Sequence, residues 1–516
     1  MLLPRTLRNA PIARSLRAFS TSTMVLSQRF TLNDPSLLLS TGWINDAAAR
    51  SGAGRTPFEV QDPATGEVWT RVESMDATDT DAAIQAATDA FPAYAALPAR
   101  TRARLLLEFD RLVRENKEDL ATLVVMEAGK TLAEARAEVD YAATYSWIMA
   151  GEAERIQGEV LKANENPSLR FFTIKQPIGP VGLLCPWNFP VAIALRKIAT
   201  ALAAGCTVVI KPSPETPTTA LALALLAQRA GFPKGVVNVV TVSSETTPEV
   251  GQKMCEDKRL KKISFTGSTN VGKLLAAQSA SSLKKLTLEL GGNGSFIVFE
   301  DADLEQAADA LVANKFRNAG QVCTCANRIF VQASVIDRFA ELVKTRIAKL
   351  NTGHGLDSGV TTGALTTERS AERVVGLVAD ALENGGTLHT GGKRVGTGFL
   401  FEPTLITGAS RDARVYKEEI FGPICSLYAF ESEEEVVALA NATDMGLTNY
   451  VFSQNIGRAW RCYEKLESGT VAINTAIANA AESPFGGIKE SGSGKEGGLG
   501  YGVDEFLIVK SAAMTV

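Results

Sequence analysis

Four short β-branched runs, at 180–184, 208–211, 236–240 and 263–265, alternate with stretches rich in alanine and leucine such as 191–204 and 218–230. Strands and helices alternating on that scale predict a parallel sheet with helices on both faces. A second series begins after Glu289, with apolar strands at 295–299 and 329–332 and helices at 303–316 and 335–350. Upstream, residues 79–156 read as helical, because Leu105, Phe109, Leu112 and Val113 recur at helix spacing with Arg and Glu between them. A chain of 516 residues is too long for one ordinary core. Two α/β domains are expected, joined at a loop around Cys323.

That loop carries the clearest chemistry. Gly320-Gln321-Val322-Cys323 reads as a reactive thiol in a flexible turn, with Cys325 two residues on. Lys315-Phe316-Arg317 supplies positive charge upstream, which favours thiolate over thiol. The chain has only two histidines, His354 and His389, both in Gly-rich, polar surroundings. A Cys–His hydrolase pair is therefore poorly supplied, and a carboxylate is the expected base. In Lys284–Gly292 the leucines alternate with Lys285, Thr287 and Glu289, so on a strand Glu289 faces away from them. It is the last acid before a Gly-Gly turn, where open α/β sheets place their chemistry. A solvated edge-strand carboxylate has the same pattern.

The first series also carries a nucleotide signal. The strand Ile263–Phe265 runs into Thr266-Gly267-Ser268-Thr269-Asn270-Val271-Gly272, where Gly267 permits close backbone approach and a helix N-terminus offers N–H groups to a pyrophosphate. The spacing is not that of the dinucleotide fingerprint, and a plain strand–helix turn looks the same. Lys211 ends the preceding buried strand and is placed for ribose hydroxyls or phosphate, or to reach solvent. A net charge of −4 gives no electrostatic case for nucleic acid or an anionic membrane as partner. No apolar run approaches a spanning helix. Seven unevenly spaced cysteines do not make a disulfide framework, so a reducing compartment fits better. No metal site is expected. Arg5, Arg8, Arg14 and Arg17, with Ser and Thr following and no acid before Asp34, have the composition of a mitochondrial transit peptide over residues 1–28. The mitochondrial matrix is the expected location; initiation at Met24 would make it cytosolic.

Together these segments resemble the aldehyde dehydrogenase superfamily, from about residue 40 to the C-terminus. The motifs are Pro186-Trp187-Asn188-Phe189-Pro190, Lys211-Pro212-Ser213, Phe265-Thr266-Gly267-Ser268, Leu288-Glu289-Leu290-Gly291-Gly292, Gly320-Gln321-Val322-Cys323, Glu418-Glu419-Ile420-Phe421-Gly422-Pro423 and Pro484-Phe485-Gly486-Gly487. The segments flanking Cys323, from Asn314 to Arg328, are most similar to succinate-semialdehyde dehydrogenases. The resemblance implies a Rossmann-like NAD(P)-binding domain (29–154 and 177–289), an α/β catalytic domain (290–495) and a small β projection for oligomerisation (155–176 and 496–516). A homodimer or homotetramer follows from it.

It also implies roles. Cys323 is the nucleophile, Glu289 activates the hydrolytic water, and Asn188 with the Cys323 backbone N–H holds the oxyanion. Lys211 and Glu419 match positions that hold the two ribose hydroxyl sets, and Phe421 one that flanks the nicotinamide. Trp187, Ser213, Pro214, Gly267, Ser268, Gly272 and Leu290 complete the expected cofactor site. Where NAD-preferring members often place glutamate, this chain has Pro214, with Glu215 next, so NADP is expected to be accepted and NAD stays open. Arg196 and Arg317 match guanidinium groups that grip the far carboxylate of a semialdehyde, with Asn479 as a further contact. Each arginine could instead be an ordinary surface charge. Glu482 is a liability beside Asn479, and glutarate semialdehyde remains a second candidate substrate. A broad-specificity aldehyde dehydrogenase is the first rival; the intact Cys323, Glu289 and Asn188 argue against a catalytically silent homologue, and Glu289 as hydrolytic base disfavours an acyl-CoA-forming enzyme. Lys495, where arginine is usual, carries no expected function. Cys325 suggests a redox switch by pairing with Cys323.

Overall fold

The computed structural model describes residues 29–49 and 56–516. The expected transit segment, 1–28, lies outside them. Among the described residues the chain builds two large sheets. The first has eight strands, and its five parallel members run Val237–Val239, Val208–Lys211, Val181–Leu184, Lys262–Thr266, Lys285–Glu289 across the sheet. Sequence order reverses between Val181–Leu184 and Lys262–Thr266. That reversal opens the crevice at the strands' carboxyl ends where α/β sheets bind ligands.

Alternation along each strand feeds two cores. Val208 and Ile210 pack under the helices Ala99–Glu115, Leu132–Ala153, Pro190–Ala204 and Pro217–Arg229. Val209 faces the opposite way, against Ala77–Ala95, Thr247–Glu256 and Thr269–Ser279. Burial on both faces explains why these strands read as unbroken apolar runs rather than alternating ones.

The second sheet has seven strands, centred on Ser295–Val298 and Arg328–Gln332, which pair in parallel. Phe296 and Val298 point to one core, Ile297 and Phe299 to the other. The chain then returns to the first sheet. Gly492–Ser493 pairs antiparallel with Leu288 and Glu289, so Glu289 lies on an interior strand and not at a solvated edge. This return falls inside the segment assigned from sequence to the second unit. Turn residues with no apolar run left no periodic trace of it.

A third sheet joins Leu507–Thr515, Leu169–Pro177 and Val160–Lys162. Val160, Leu161, Phe171, Phe172 and Ile174 stay exposed on it. No helix among the described residues is long and apolar enough to cross a membrane.

Candidate active site

Three connections converge on one cavity of about 230 Å³ at the crevice. Trp187 and Asn188 follow the Val181–Leu184 strand, Gly267 and Ser268 follow Lys262–Thr266, and Leu290 follows Lys285–Glu289. Cys323, Glu419 and Phe421 close it from the second sheet. The Trp187 and Phe421 rings meet edge to face at 5.5 Å, forming an aromatic wall. Gly292 runs so close to Cys323 that a Cβ there would strike the Cys323 carbonyl oxygen. This close approach brings the end of the Glu289 strand against the thiol loop.

That loop is strained. Asn318 and Ala319 both have φ of 51°, and Gly320 follows at 75°. Left-handed backbone costs a non-glycine residue about 1–3 kcal/mol and persists only where the surroundings enforce it. Asn188 Nδ2 donates to the Gln321 carbonyl oxygen at 3.0 Å, and Asn318 Nδ2 donates to the Asn188 carbonyl oxygen at 3.1 Å. The Asn188 amide therefore has one N–H committed to the loop and a second one to offer.

The electrostatics differ from the expectation. Lys315 is buried and interacts with Cys325 and Glu419, while the charges that act most on Cys323 are Glu419, Glu289 and Arg196. Burial, followed by the carboxylates Glu419 and Glu289, pushes the Cys323 thiol up to about 12. That shift favours thiol over thiolate. Residue order suggested otherwise, but Lys315 ends the helix Leu304–Lys315 with its side chain buried near Cys325 and Glu419.

Glu289 is 2 % exposed, and neither carboxylate oxygen has a hydrogen-bond partner. Burial, and the nearby charge of Glu496, raise it well above the ordinary 4.5. Gly486 faces it, and a Cβ there would sit 2.8 Å from Glu289 Oε1.

Sequence reasoning missed the group behind it. Glu496 is buried and binds Arg196 at 2.7 Å, and it also pairs with Lys197 and accepts from Ser264 at 2.9 Å. Burial works against its charge, yet Lys197 and Arg196 hold it down at about 2. The Gly494-Lys495-Glu496 stretch, given no function from sequence, thus anchors a buried charge cluster, and Lys495 Nζ donates to the Gly486 carbonyl oxygen at 2.6 Å. Glu496→Gln strands two cations and is expected to cost about 3–5 kcal/mol. Denaturant unfolding at neutral pH checks this; an unchanged midpoint would mean that the cluster holds nothing.

Arg196, Arg317 and Asn479 meet at a second cavity of about 240 Å³, lined also by Phe189 and by Val322 and Thr324 on either side of Cys323. The two arginines are not equivalent there. Arg196 is buried and its charge is matched by Glu496. Arg317 is exposed, has no acidic partner among the described residues, and lies 5.3 Å from the Phe189 ring centre. Glu482 is exposed and lines neither cavity.

The remaining predicted positions scatter more widely. Lys211 is buried at its strand end, donates to the Pro212 carbonyl oxygen at 3.1 Å, and burial lowers it to about 8. Ser213 donates to the Glu215 carboxylate. Pro214 and Glu215 line a third cavity of about 210 Å³. Gly272 lets its helix close onto Leu290. Glu419 accepts from Gly292 N–H at 3.0 Å, and burial raises it to about 7. Cys325 lines neither main cavity; its thiol faces the carbonyl oxygens of Lys315 at 3.6 Å and Asn314 at 3.7 Å.

The first cavity has the chemistry to take the nicotinamide end of a dinucleotide. The helix Thr269–Ser279 begins there with no side-chain cap on its N–H groups, and its aromatic wall suits a planar ring. Among the described residues no cluster of three or more metal-ligating side chains is present.

Known proteins match this arrangement across nearly its whole length. A model of the aldehyde dehydrogenase family matches residues 49–512. A succinate-semialdehyde dehydrogenase [NADP(+)] of Schizosaccharomyces pombe is 49% identical over 467 residues, covering 90% of this chain and 93% of that protein. A glutarate-semialdehyde dehydrogenase of Pseudomonas aeruginosa is 44% identical, covering 93% and 98%. The crystal structure of an E. coli NADP-dependent enzyme superposes with a TM-score of 0.92 at 45% identity, covering 94% of this chain and all of that one. With the thiol, the buried carboxylate and the crevice at the strand reversal in place, the chain belongs to the aldehyde dehydrogenase family.

Proposed function

We propose that the protein oxidises succinic semialdehyde to succinate with NAD(P)⁺. The observation that carries the substrate is Arg317, a guanidinium without an acidic partner among the described residues, at the mouth of the cavity beside Cys323. A carboxylate end fits that charge bidentately, and the aldehyde end then faces the thiol. Arg196 lines the same cavity with its charge already matched by Glu496, so it contributes shape and a hydrogen-bond donor more than free charge. The names of the S. pombe and P. aeruginosa relatives support a dicarboxylic semialdehyde and leave glutarate semialdehyde as the second reading.

When bound, the nicotinamide supplies the hydride acceptor. Trp187, Gly267, Ser268, Gly272, Leu290, Glu419 and Phe421 would hold it, with Lys211, Ser213 and Pro214 toward the adenosine end. The S. pombe relative's name favours NADP⁺, while the Glu215 carboxylate beside Ser213 leaves room for NAD⁺. Cys323 gives its thiol proton to solvent and attacks the aldehyde carbon as thiolate, and the free Asn188 N–H with the Cys323 backbone N–H takes the oxyanion. Cys323 carries that carbon first as a thiohemiacetal and, once oxidised, as a thioester. Glu289 takes a proton from water, the resulting hydroxide attacks the thioester, and succinate leaves with the thiol restored.

Arg317→Leu should lower kcat/KM for succinic semialdehyde about a hundredfold and leave butanal within about threefold of wild type. Equal losses on both aldehydes would retire Arg317 as a substrate ligand. Pairing through the exposed three-stranded sheet, a mitochondrial location and a part in 4-aminobutyrate breakdown complete the proposal. A Cys323–Cys325 disulfide requires Cys325 to leave the two carbonyls it faces.

A further inference from the structure

The helix Leu132–Ala153 touches both halves of the proposed oxyanion site. Glu138 Oε1 accepts from Val191 N–H at 2.9 Å and Ala192 N–H at 3.0 Å, in the first turn of the helix that follows Asn188. One turn earlier, Glu134 Oε1 accepts from Asn318 N–H at 2.7 Å. Its other oxygen is already fixed: Glu134 Oε2 accepts from Thr131 N–H at 3.2 Å and from Thr131 Oγ1 at 2.9 Å, within the capping box that opens the helix. The carboxylate is therefore immobilised by its own helix before it meets the thiol loop.

Asn318 is where that loop most needs holding. It is the first of three consecutive left-handed residues, Asn318, Ala319 and Gly320. It also relays position onward, since its side chain donates to the carbonyl oxygens of Asn188 at 3.1 Å and Gln321 at 3.3 Å. We infer that Glu134 is a positioning residue: by fixing the Asn318 N–H it holds the strained turn, and through that turn it sets Asn188 against the Cys323 backbone N–H. The inference rests on the proposed role of Cys323 and Asn188. Without that bond the turn can relax toward right-handed backbone, and the two oxyanion donors lose their alignment. Arg317 adjoins Asn318 in the chain, but its guanidinium makes no hydrogen bond or ion pair with Glu134, so the grip on the substrate carboxylate does not run through that bond.

Glu134→Asp separates positioning from folding. The helix Ala77–Ala95 closes a capping box with Asp79 at the same position, so aspartate can still cap the helix. One methylene shorter, it withdraws from Asn318. Expected for the full-length enzyme with succinic semialdehyde and NADP⁺ is a kcat about 10²-fold lower, the loss typical of one oxyanion donor, with KM within about threefold. The thermal midpoint should stay near wild type, and amide exchange over 318–323 should quicken. Wild-type kcat, or unchanged exchange, would overturn the inference; so would a KM and midpoint that fall together with kcat, the mark of a merely structural residue. A wild-type enzyme that oxidises no aldehyde would sink the proposed function instead, and the exchange measurement would still decide whether Glu134 holds the turn.

Discussion

Cys323→Ser is expected to lower kcat/KM for succinic semialdehyde by about 10⁴-fold or more, the scale on which loss of a covalent nucleophile is felt. The site explains why serine cannot substitute. Burial already pushes the thiol upward, so forming the anion is costly even for sulfur. An alkoxide in the same apolar pocket is costlier still, and its ester would be a poorer intermediate to hydrolyse. Cys325 cannot take over, because its thiol faces the carbonyls of Asn314 and Lys315 and lines neither cavity. Steady-state rates with both cofactors test the loss, and mass spectrometry after a substrate pulse tests its cause. An acyl adduct at a residue other than 323, or a loss below tenfold, would remove Cys323 from the chemistry.

The second large effect belongs to Glu289→Gln, with an expected fall in kcat of about 10²–10⁴-fold, the usual contribution of a general base. Acylation should survive, so one equivalent of reduced cofactor per active site should appear in a burst before turnover slows. Wild-type kcat should rise with pH above the ordinary carboxylate range, because burial keeps Glu289 protonated, and hence inactive as a base, well above the ordinary 4.5. The variant's residual rate should lose that dependence.

The same shift has an opposite consequence for stability. A carboxyl whose pKa is raised in the folded state binds its proton more tightly there than in the unfolded chain. Its contribution is thus fully present below 4.5 and is lost as pH rises through the raised value. Glutamine carries no such dependence. Glu289→Gln should therefore raise the thermal midpoint at about pH 8 and leave it unchanged at about pH 4, trading activity for stability. A variant that is both inactive and destabilised at pH 8 would mean that Glu289 is held charged by a partner, contrary to its two unsatisfied oxygens.

Much of this site was legible in the chain itself. Strands buried on both faces must be continuous apolar runs, so 208–211 and 263–265 announced a parallel sheet, and Val208–Lys211 and Lys262–Thr266 are where it lies. Glycines that let backbone approach backbone marked the strand ends, and a cysteine without a usable histidine pointed to Glu289. Each of these inferences spans a few residues, where periodicity and steric rules act directly.

What tertiary structure alone decided was which charges are spent. Arg196 and Arg317 are chemically identical, yet one is matched by Glu496, far away in the chain, and the other is left without an acidic partner among the described residues. Lys315, a few residues before Cys323, is buried beside Cys325, while Glu134, 184 residues from Asn318, accepts from its N–H. Local sequence sets the face a side chain occupies on its own element. The free energy of a charge depends on its burial and on its nearest opposite charge, and both are set by segments the chain brings together only on folding.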